Sequence, residues 1–288
     1  PVKLNWEKNL TNKNTISNFK ADKLDIEFVN KGTFFNDLYS YENNLKMLTN
    51  SFRTNYKIFE DSIHLESKKS LIKNTPIKYS GKIDLSPFSF KLVLNAKAID
   101  IENFFKNNVL INGIISSNIF SNENINGQIK VKTNKLIKNK LFEDANISIN
   151  FEEGNVNINN SYAINSKFGK ILIDNTEFKL FNFRSDLVGE VSLEIYNHNQ
   201  FYKFFPVAKK KRSKRLFDKI KFNFTFNLND AEFSIDRVNF LDKNNKIIQS
   251  KKVDDFVEDN YETRFKFSNK VLFKNFIKSA VITYLDEG

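Results

Sequence analysis

Alternation of apolar and polar residues is the feature that most constrains how this chain can fold. From 222 to 228 every second residue is Phe or Leu, and the residues between them are Asn or Thr. The same period of two recurs over 88–96, 147–151 and 191–195. Successive side chains of a strand point to opposite faces of its sheet, so this period is typical of half-buried β-strands. The chain is therefore predicted to be mostly β, with one apolar face and one polar face.

Turns and repeats extend this prediction to a sheet of many strands. Glu152-Glu153-Gly154-Asn155 separates two alternating runs and predicts a tight turn between antiparallel strands. A shared order of Gly, alternating strand, polar turn and aromatic helix occurs over 80–105 and again over 188–205. These patterns favour an extended, twisted antiparallel sheet that is repeat-like and curled into a groove, with a few short helices.

Helical spacing predicts those few helices. Short helices are expected to begin at Asp100 and Asn197, because each residue is suited to N-capping and precedes aromatic residues. The stretch 273–281 fits a helix or a strand, and we favour a helix. Steps of three and four predict an amphipathic helix over 33–50. The apolar residues that define it are Phe34, Leu38, Tyr41, Leu45 and Leu48.

The amino-acid composition and the absence of known motifs exclude most kinds of catalytic site. The chain has no Cys and only 2 His among its 288 residues, which excludes disulfides, thiol catalysis and Cys-ligated metals. No nucleotide-binding glycine motif, nucleophile elbow or metalloprotease motif is present. The adjacent carboxylates at 152–153, 254–255 and 286–287 give no sign of converging on one substrate atom, as acid–base catalysis requires. We therefore expect a protein that is not an enzyme, with no catalytic residue, metal or cofactor.

A net charge of +11 and one dense basic run point to anionic partners. The run lies in a predicted exposed loop at 206–215. Nucleic acid is the less favoured partner, because the aromatic residues follow the apolar period of the strands instead of lying among the basic residues. The alternative function is a basic binding or adaptor protein that contacts anionic lipid or nucleic acid through 209–215. The candidate residues for contact with anionic headgroups are Lys209, Lys210, Lys211, Arg212, Lys214 and Arg215.

The apolar face of the predicted sheet has two interpretations. It forms the core of an ordinary sandwich, or it stays open as a groove for acyl chains. Each CH₂ group costs about 0.8 kcal/mol to expose to water, so a lipid needs a continuous apolar surface to move between membranes. The candidate lipid-binding residues lie at alternate positions of successive strands. They are Phe90, Leu92, Leu94, Ile129, Val131, Ile147, Ile149, Ile171, Ile173, Val191, Leu193, Ile195, Phe222, Phe224, Phe226, Phe233 and Ile235.

The order of these motifs along the chain resembles a known family. The motifs are Phe168-Gly-Lys-Ile171, the alternating run 187–195, the aromatic segment 201–205, the basic loop and the run 220–224. This succession is similar to the C-terminal region of AsmA-like proteins, a family that includes TamB and YhdP. The hairpin over 147–158 and the unit over 81–105 resemble earlier repeats of that family, so the resemblance covers residues 75–245.

The resemblance implies a function and a place for it. Family members are anchored in the inner membrane of Gram-negative bacteria by an N-terminal helix, and their periplasmic part is a long folded β-sheet with a hydrophobic groove. It implies a periplasmic segment that transfers phospholipid between the inner and outer membranes or supports outer-membrane assembly. The implied partners are phospholipid, the inner membrane through an anchor outside this chain, and outer-membrane or periplasmic assembly proteins. We divide the chain into 1–75 with the amphipathic helix, a groove region over 76–245 and a closing segment over 246–288.

Overall fold

The computed structural model describes residues 2–9, 14–22, 25–35, 38–72, 75–100, 122–137, 141–181, 184–212, 216–230, 232–248, 251–260, 265–266 and 270–287. The predicted fold class is confirmed, since the protein is mostly β, its strand pairs are mainly antiparallel and its helices are few. The chain forms two compact units. Unit 1 comprises Pro1–Ile99 and Glu123–Asn134, and unit 2 comprises Asp100–Asn122 and Lys135–Gly288. The groove region predicted over 76–245 therefore contains strands of both units.

Unit 1 is a sheet whose strands follow one another in chain order. Each of β1 to β4 pairs antiparallel with the next strand, and β8 pairs antiparallel with β9. The short strands β6 and β7 both lie between β5 and β8. The strands are β1 Val2–Asn9, β2 Asn14–Ala21, β3 Ile26–Phe35, β4 Leu38–Met47, β5 Asn50–Ile58, β6 Ser62–Ser67, β7 Ser70–Ile72, β8 Thr75–Leu85, β9 Phe88–Ala96 and β10 Asn126–Thr133.

The strand β10 departs from the antiparallel prediction. It pairs parallel with β9, and Ile129 lies opposite Leu92 while Val131 lies opposite Leu94. A parallel pair needs a long crossover connection, and residues 97–125 supply that length. The sheet of unit 1 is therefore mixed, and the apolar residues predicted on both strands still share one face.

The helix predicted over 33–50 is wrong, because this segment forms the end of β3, all of β4 and the start of β5. The neighbouring strands supply the packing partners, with Gly32 opposite Tyr41 and Phe28 opposite Leu45. Leu48 lies in the turn after β4 with a φ of 50°, a left-handed conformation that an α-helix does not contain. Cross-strand packing thus outweighs a local helical spacing.

Unit 2 combines a second set of strands with the helices. From β13 to β18 each strand pairs antiparallel with the next, and β11 pairs with both β12 and β13. The strands are β11 Asp144–Glu152, β12 Asn155–Asn157, β13 Ser161–Asn165, β14 Gly169–Phe181, β15 Arg184–Ile195, β16 Lys219–Asn227, β17 Glu232–Leu241 and β18 Phe265–Lys266. The α-helices in the described part of unit 2 are α1 His198–Phe204, α2 Lys251–Asp259 and α3 Lys270–Asp286.

Several local predictions in unit 2 are confirmed. The turn after β11 has Glu153 and Gly154 at positive φ between the paired residues Glu152 and Asn155. The helix α1 begins after Asn197, whose side-chain oxygen accepts a hydrogen bond from the backbone N–H of Gln200 at 3.1 Å. The helix favoured over 273–281 lies within α3. The helix expected at 100–105 falls outside the described residues.

A closed hydrophobic core occupies unit 2. Phe168, Phe201 and Phe217 are fully buried in it. The ring of Phe217 lies 4.9 Å from that of Phe240 on β17 and 5.5 Å from that of Tyr284 on α3. The helices therefore cover the apolar face of this sheet where these residues meet.

Candidate functional site

The apolar face of unit 1 runs across its strands from β2 to β10. Cross-strand neighbours align its side chains in rows. One row joins Phe19, Phe28, Leu45 and Phe52. A second row joins Phe34, Tyr39, Ile58, Ile63, Ile83 and Phe90. Leu92 and Leu94 continue the face on β9, and Ile129 and Val131 continue it on β10.

The opposite face of unit 1 is polar. Lys57, His64, Lys82 and Lys91 stand opposite one another on four neighbouring strands. Lys82 lies 2.6 Å from Asp84, and its hydrogen bond holds the pKa of that carboxyl below its ordinary value. Such exposed ion pairs contribute little to stability. The polar face keeps this side of the sheet in water.

The apolar face of unit 1 is only partly covered. Among the side chains described in this unit, the buried hydrophobic residues are Ala21, Ile77 and Ala96, and all three lie toward one end of the face. At the other end Tyr39 is 49% exposed and Phe88 is 46% exposed. The rows between are half-buried, and no α-helix occurs in the described part of this unit. The face therefore lacks the helical cover that closes the core of unit 2.

Hydroxyl and amide groups cross this apolar face in one row. The polar row joins Ser17, Asn30, Asn43, Thr54 and Ser67, which are successive cross-strand neighbours on β2 to β6. Tyr56, whose ring stacks 4.8 Å from that of Tyr41, donates a hydrogen bond to Asn30 Oδ1 at 3.0 Å. Burial raises the pKa of Tyr56 and outweighs the opposing effect of Asn30, so its hydroxyl stays protonated at neutral pH.

The structure distributes the seventeen candidate lipid-binding residues over both units. Five lie on the apolar face of unit 1 and are half-buried, namely Phe90, Leu92, Leu94, Ile129 and Val131. Five others are half-buried in unit 2, namely Ile147, Ile149, Ile173, Phe224 and Phe226.

The remaining candidates belong to the closed core of unit 2. Ile171, Val191 and Phe233 pack against that core. Leu193, Ile195, Phe222 and Ile235 are buried within it, at 3%, 7%, 4% and 4% exposure. A side chain sealed by neighbouring residues cannot line an open groove, so these four residues are core residues of the folded unit.

The basic segment is partly engaged inside unit 2. Lys211 lies in a short 3₁₀ turn, Lys209–Lys211, and its ammonium group is 2.6 Å from Asp286 at the end of α3. Arg212 donates to the carbonyl of Val207 at 2.9 Å and lies over the ring of Tyr202. Lys209 and Lys210 are exposed and show no acidic partner in the described ranges. Lys214 and Arg215 fall outside those ranges.

Among the described residues, the other polar groups do not converge on a reactive site. The two histidines belong to different units, His64 lying against the ring of Phe59 and His198 against the carbonyl of Phe217. Within the part of the chain that the structure describes, no three His, Asp or Glu side chains stand close enough to hold a metal ion. None of the described helices is both long enough and apolar enough to cross a membrane.

A polar depression lies on β15 to β17. Glu190, Lys221 and Arg237 are among the residues that line it. Lys221 lies 2.7 Å from Glu190, and Lys219 lies 3.1 Å from Glu194. Both lysines are therefore paired with carboxylates within the sheet.

The part of the apolar face that lies in β2 to β6 was not predicted from the sequence. A period of two is present at 52, 54, 56 and 58, and again at 39, 41, 43, 45 and 47. Thr54 and Asn43 interrupt its apolar members, and the helical spacing over 33–50 overlaps it. The alternation typical of strands was therefore present in these segments, but the residues of the polar row interrupted its apolar positions.

Comparisons with protein-family models, with curated proteins and with solved structures found no match. The resemblance to AsmA-like proteins therefore stays a prediction that rests on the order of motifs along the chain.

Proposed function

We propose that this chain is a non-enzymatic lipid-binding protein that shelters acyl chains on the apolar face of unit 1. The observation that carries the proposal is an apolar face that extends over β2 to β10 and is largely half-buried, with no helix of the described part of its unit above it. Water on such a surface is unfavourable, and each acyl CH₂ that replaces it contributes about 0.8 kcal/mol.

The width of the face supports an extended ligand. Neighbouring strands lie about 4.8 Å apart, so a face that crosses several strands accommodates a chain lying across them. The charged side chains lie on the opposite, polar face of the sheet. The apolar rows and the polar row of the apolar face therefore contain no lysine and no carboxylate. Hydrocarbon is the chemistry that matches such a surface.

The biological setting that we propose rests on the resemblance to AsmA-like proteins. In that setting the chain is a periplasmic segment that transfers phospholipid between the inner and outer membranes or supports outer-membrane assembly. In that setting the chain is held at the inner membrane, and its partners are phospholipid and assembly proteins of the outer membrane or periplasm.

The alternative, a basic adaptor that binds anionic lipid or nucleic acid through 209–215, has less support. Lys211 is paired with Asp286, and Arg212 is held by Val207 and Tyr202. These contacts keep two of the basic side chains close to unit 2.

The test compares two substitutions on adjacent residues of β9. Leu92 faces the apolar side between Gly81 and Ile129, whereas Val93 faces the polar side between Ser80 and Lys130. We expect Leu92→Glu to lower phospholipid binding at least about tenfold, because a buried carboxylate opposes hydrocarbon, and Val93→Glu to retain it.

Binding is measured by native mass spectrometry with lipid extraction, and by uptake of pyrene-labelled phosphatidylcholine from phosphatidylcholine vesicles. Far-UV circular dichroism confirms that both variants fold. A wild-type chain that carries no lipid and takes none from vesicles would overturn the proposal, and so would equal losses in the two variants.

A further inference from the structure

The polar row is an anomaly on the apolar face of unit 1. It consists of Ser17, Asn30, Asn43, Thr54 and Ser67, which are successive cross-strand neighbours on β2 to β6. Rows on one face are about 7 Å apart along a strand. The next row on one side contains Phe28 and Leu45, and the next row on the other side contains the stacked rings of Tyr41 and Tyr56. Apolar side chains and aromatic rings therefore border the polar row in both directions.

Part of the polar row is satisfied by the protein itself. Tyr56 donates to Asn30 Oδ1 at 3.0 Å, and the hydroxyls of Thr54 and Tyr79 lie 2.6 Å apart. Ser67 accepts a hydrogen bond from the backbone N–H of Tyr79 at 2.7 Å. These contacts hold the side chains of Asn30, Thr54 and Ser67 on the apolar face of unit 1.

Asn43 is different, because its side chain makes no hydrogen bond with any described residue. It is half-buried between Asn30 and Thr54, so water reaches it while the face is empty. Hydrocarbon lying over the face would remove that water, and an amide left without a partner costs about 1–3 kcal/mol. A ligand that supplies a hydrogen-bond acceptor at this level avoids that cost.

The hydrogen-bond acceptor of a ligand that fits the polar row is an uncharged group. The polar row has no Lys or Arg, and the lysines of these strands are on the other face, Lys31 on β3 and Lys46 on β4 among them. A phosphate placed here would be desolvated without a positive partner, which is unfavourable. A carbonyl oxygen accepts from an amide N–H without any charge.

We infer that the apolar face of unit 1 recognises the ester linkage of an acyl lipid, with Asn43 Nδ2 donating to an ester carbonyl oxygen and hydrocarbon lying on both sides of the polar row. This inference rests on the proposed function and specifies the class of ligand. It assigns the phosphate of a phospholipid to a position away from the polar row.

The test compares two lipids that differ only at the linkage. The probes are diester phosphatidylcholine and the dialkyl ether analogue of the same chain length, which lacks the carbonyl oxygens. We expect the wild-type chain to bind the diester about tenfold more tightly, the equivalent of one hydrogen bond to an otherwise unpaired group. We expect Asn43→Leu to abolish that preference while it keeps or improves binding of the ether lipid.

The matched control is Asn44→Leu, because Asn44 is adjacent on β4 and faces the polar side opposite Arg53. It should retain the preference for the diester. Equal affinities of the wild-type chain for the two lipids would overturn the inference and leave the proposed function standing, and this comparison needs no variant. Binding of neither lipid would overturn both. If Asn43→Leu still binds the diester more tightly than the ether lipid, a group other than Asn43 recognises the ester, and the assignment to Asn43 is overturned.

Discussion

Each unit contains a polar side chain without a hydrogen-bond partner among the described residues, and the free-energy cost of leaving it unpaired depends on its surroundings. Asn43 lies half-buried on a face that a ligand can cover. Tyr202 on α1 is 2% exposed, and its hydroxyl has no hydrogen-bond partner among the described residues. Burial raises the pKa of Tyr202, so the group stays neutral and its cost is that of a desolvated hydroxyl.

This cost predicts that Tyr202→Phe stabilises unit 2. The substitution removes the hydroxyl and keeps the ring that packs 5.6 Å from Phe201 and under Arg212. We expect the free energy of unfolding to rise by about 1 kcal/mol. Urea denaturation followed by circular dichroism measures the change. A variant that is less stable than the wild type would contradict the prediction.

At the scale of elements, the strands of unit 2 are joined by polar contacts on their outer face. Glu190 on β15 lies 2.7 Å from Lys221 on β16 and accepts a hydrogen bond from Asn175 on β14. Burial alone would raise the pKa of Glu190, but the bonds from Lys221 and Asn175 outweigh it and hold that pKa below its ordinary value.

The lowered pKa predicts a loss of stability in acid. A carboxyl group whose pKa is lower in the folded state stabilises the fold fully above its unfolded pKa, about 4.3 for glutamate, and that contribution disappears as the pH falls through the folded value. We expect the urea midpoint of the wild-type chain to fall more steeply below about pH 4.3 than that of Glu190→Gln. Parallel acid profiles would refute this assignment.

At the scale of the whole molecule, the two units use similar strands in different ways. In unit 2 the helices α1, α2 and α3 contribute to a core that seals residues such as Phe222 and Ile220. In unit 1 the described residues form strands without an α-helix, and most of the apolar side chains on the apolar face remain half-buried or exposed. The first arrangement stabilises a fold, and the second leaves the apolar surface that we propose a lipid covers.

Binding to an apolar face predicts an unusual insensitivity to salt. We expect uptake of phosphatidylcholine to change less than about twofold when NaCl is raised from about 50 mM to about 500 mM, because burial of hydrocarbon does not depend on screening. An adaptor that used the basic segment would lose affinity steeply over this range. Lys209→Ala with Lys210→Ala is the companion variant, and a loss of uptake in it would favour the basic segment.

Much of the fold was predictable because strand periodicity is a local property. The runs at 88–96, 147–151, 191–195 and 222–227 all lie in strands, since each side chain of a strand faces the side that its position dictates. The turn at Glu153-Gly154 and the helix after Asn197 were predictable for the same reason, because their signals lie within a few neighbouring residues. The segment 33–50 was not, since its helical spacing is local while the partners that make it a strand lie on other strands.

The sequence by itself determined which side chains are apolar and that they alternate along strands. It did not determine what lies above each apolar face. Only the tertiary structure decided that Leu193 and Phe222 are sealed in a core while Leu92 and Ile129 lie on a face without a helix from the described part of their unit. It also decided that Asn30, Asn43 and Thr54 form one row, because cross-strand register depends on pairing between distant segments. Burial of a face is a property of what packs against it, and periodicity within one strand carries no information about that partner.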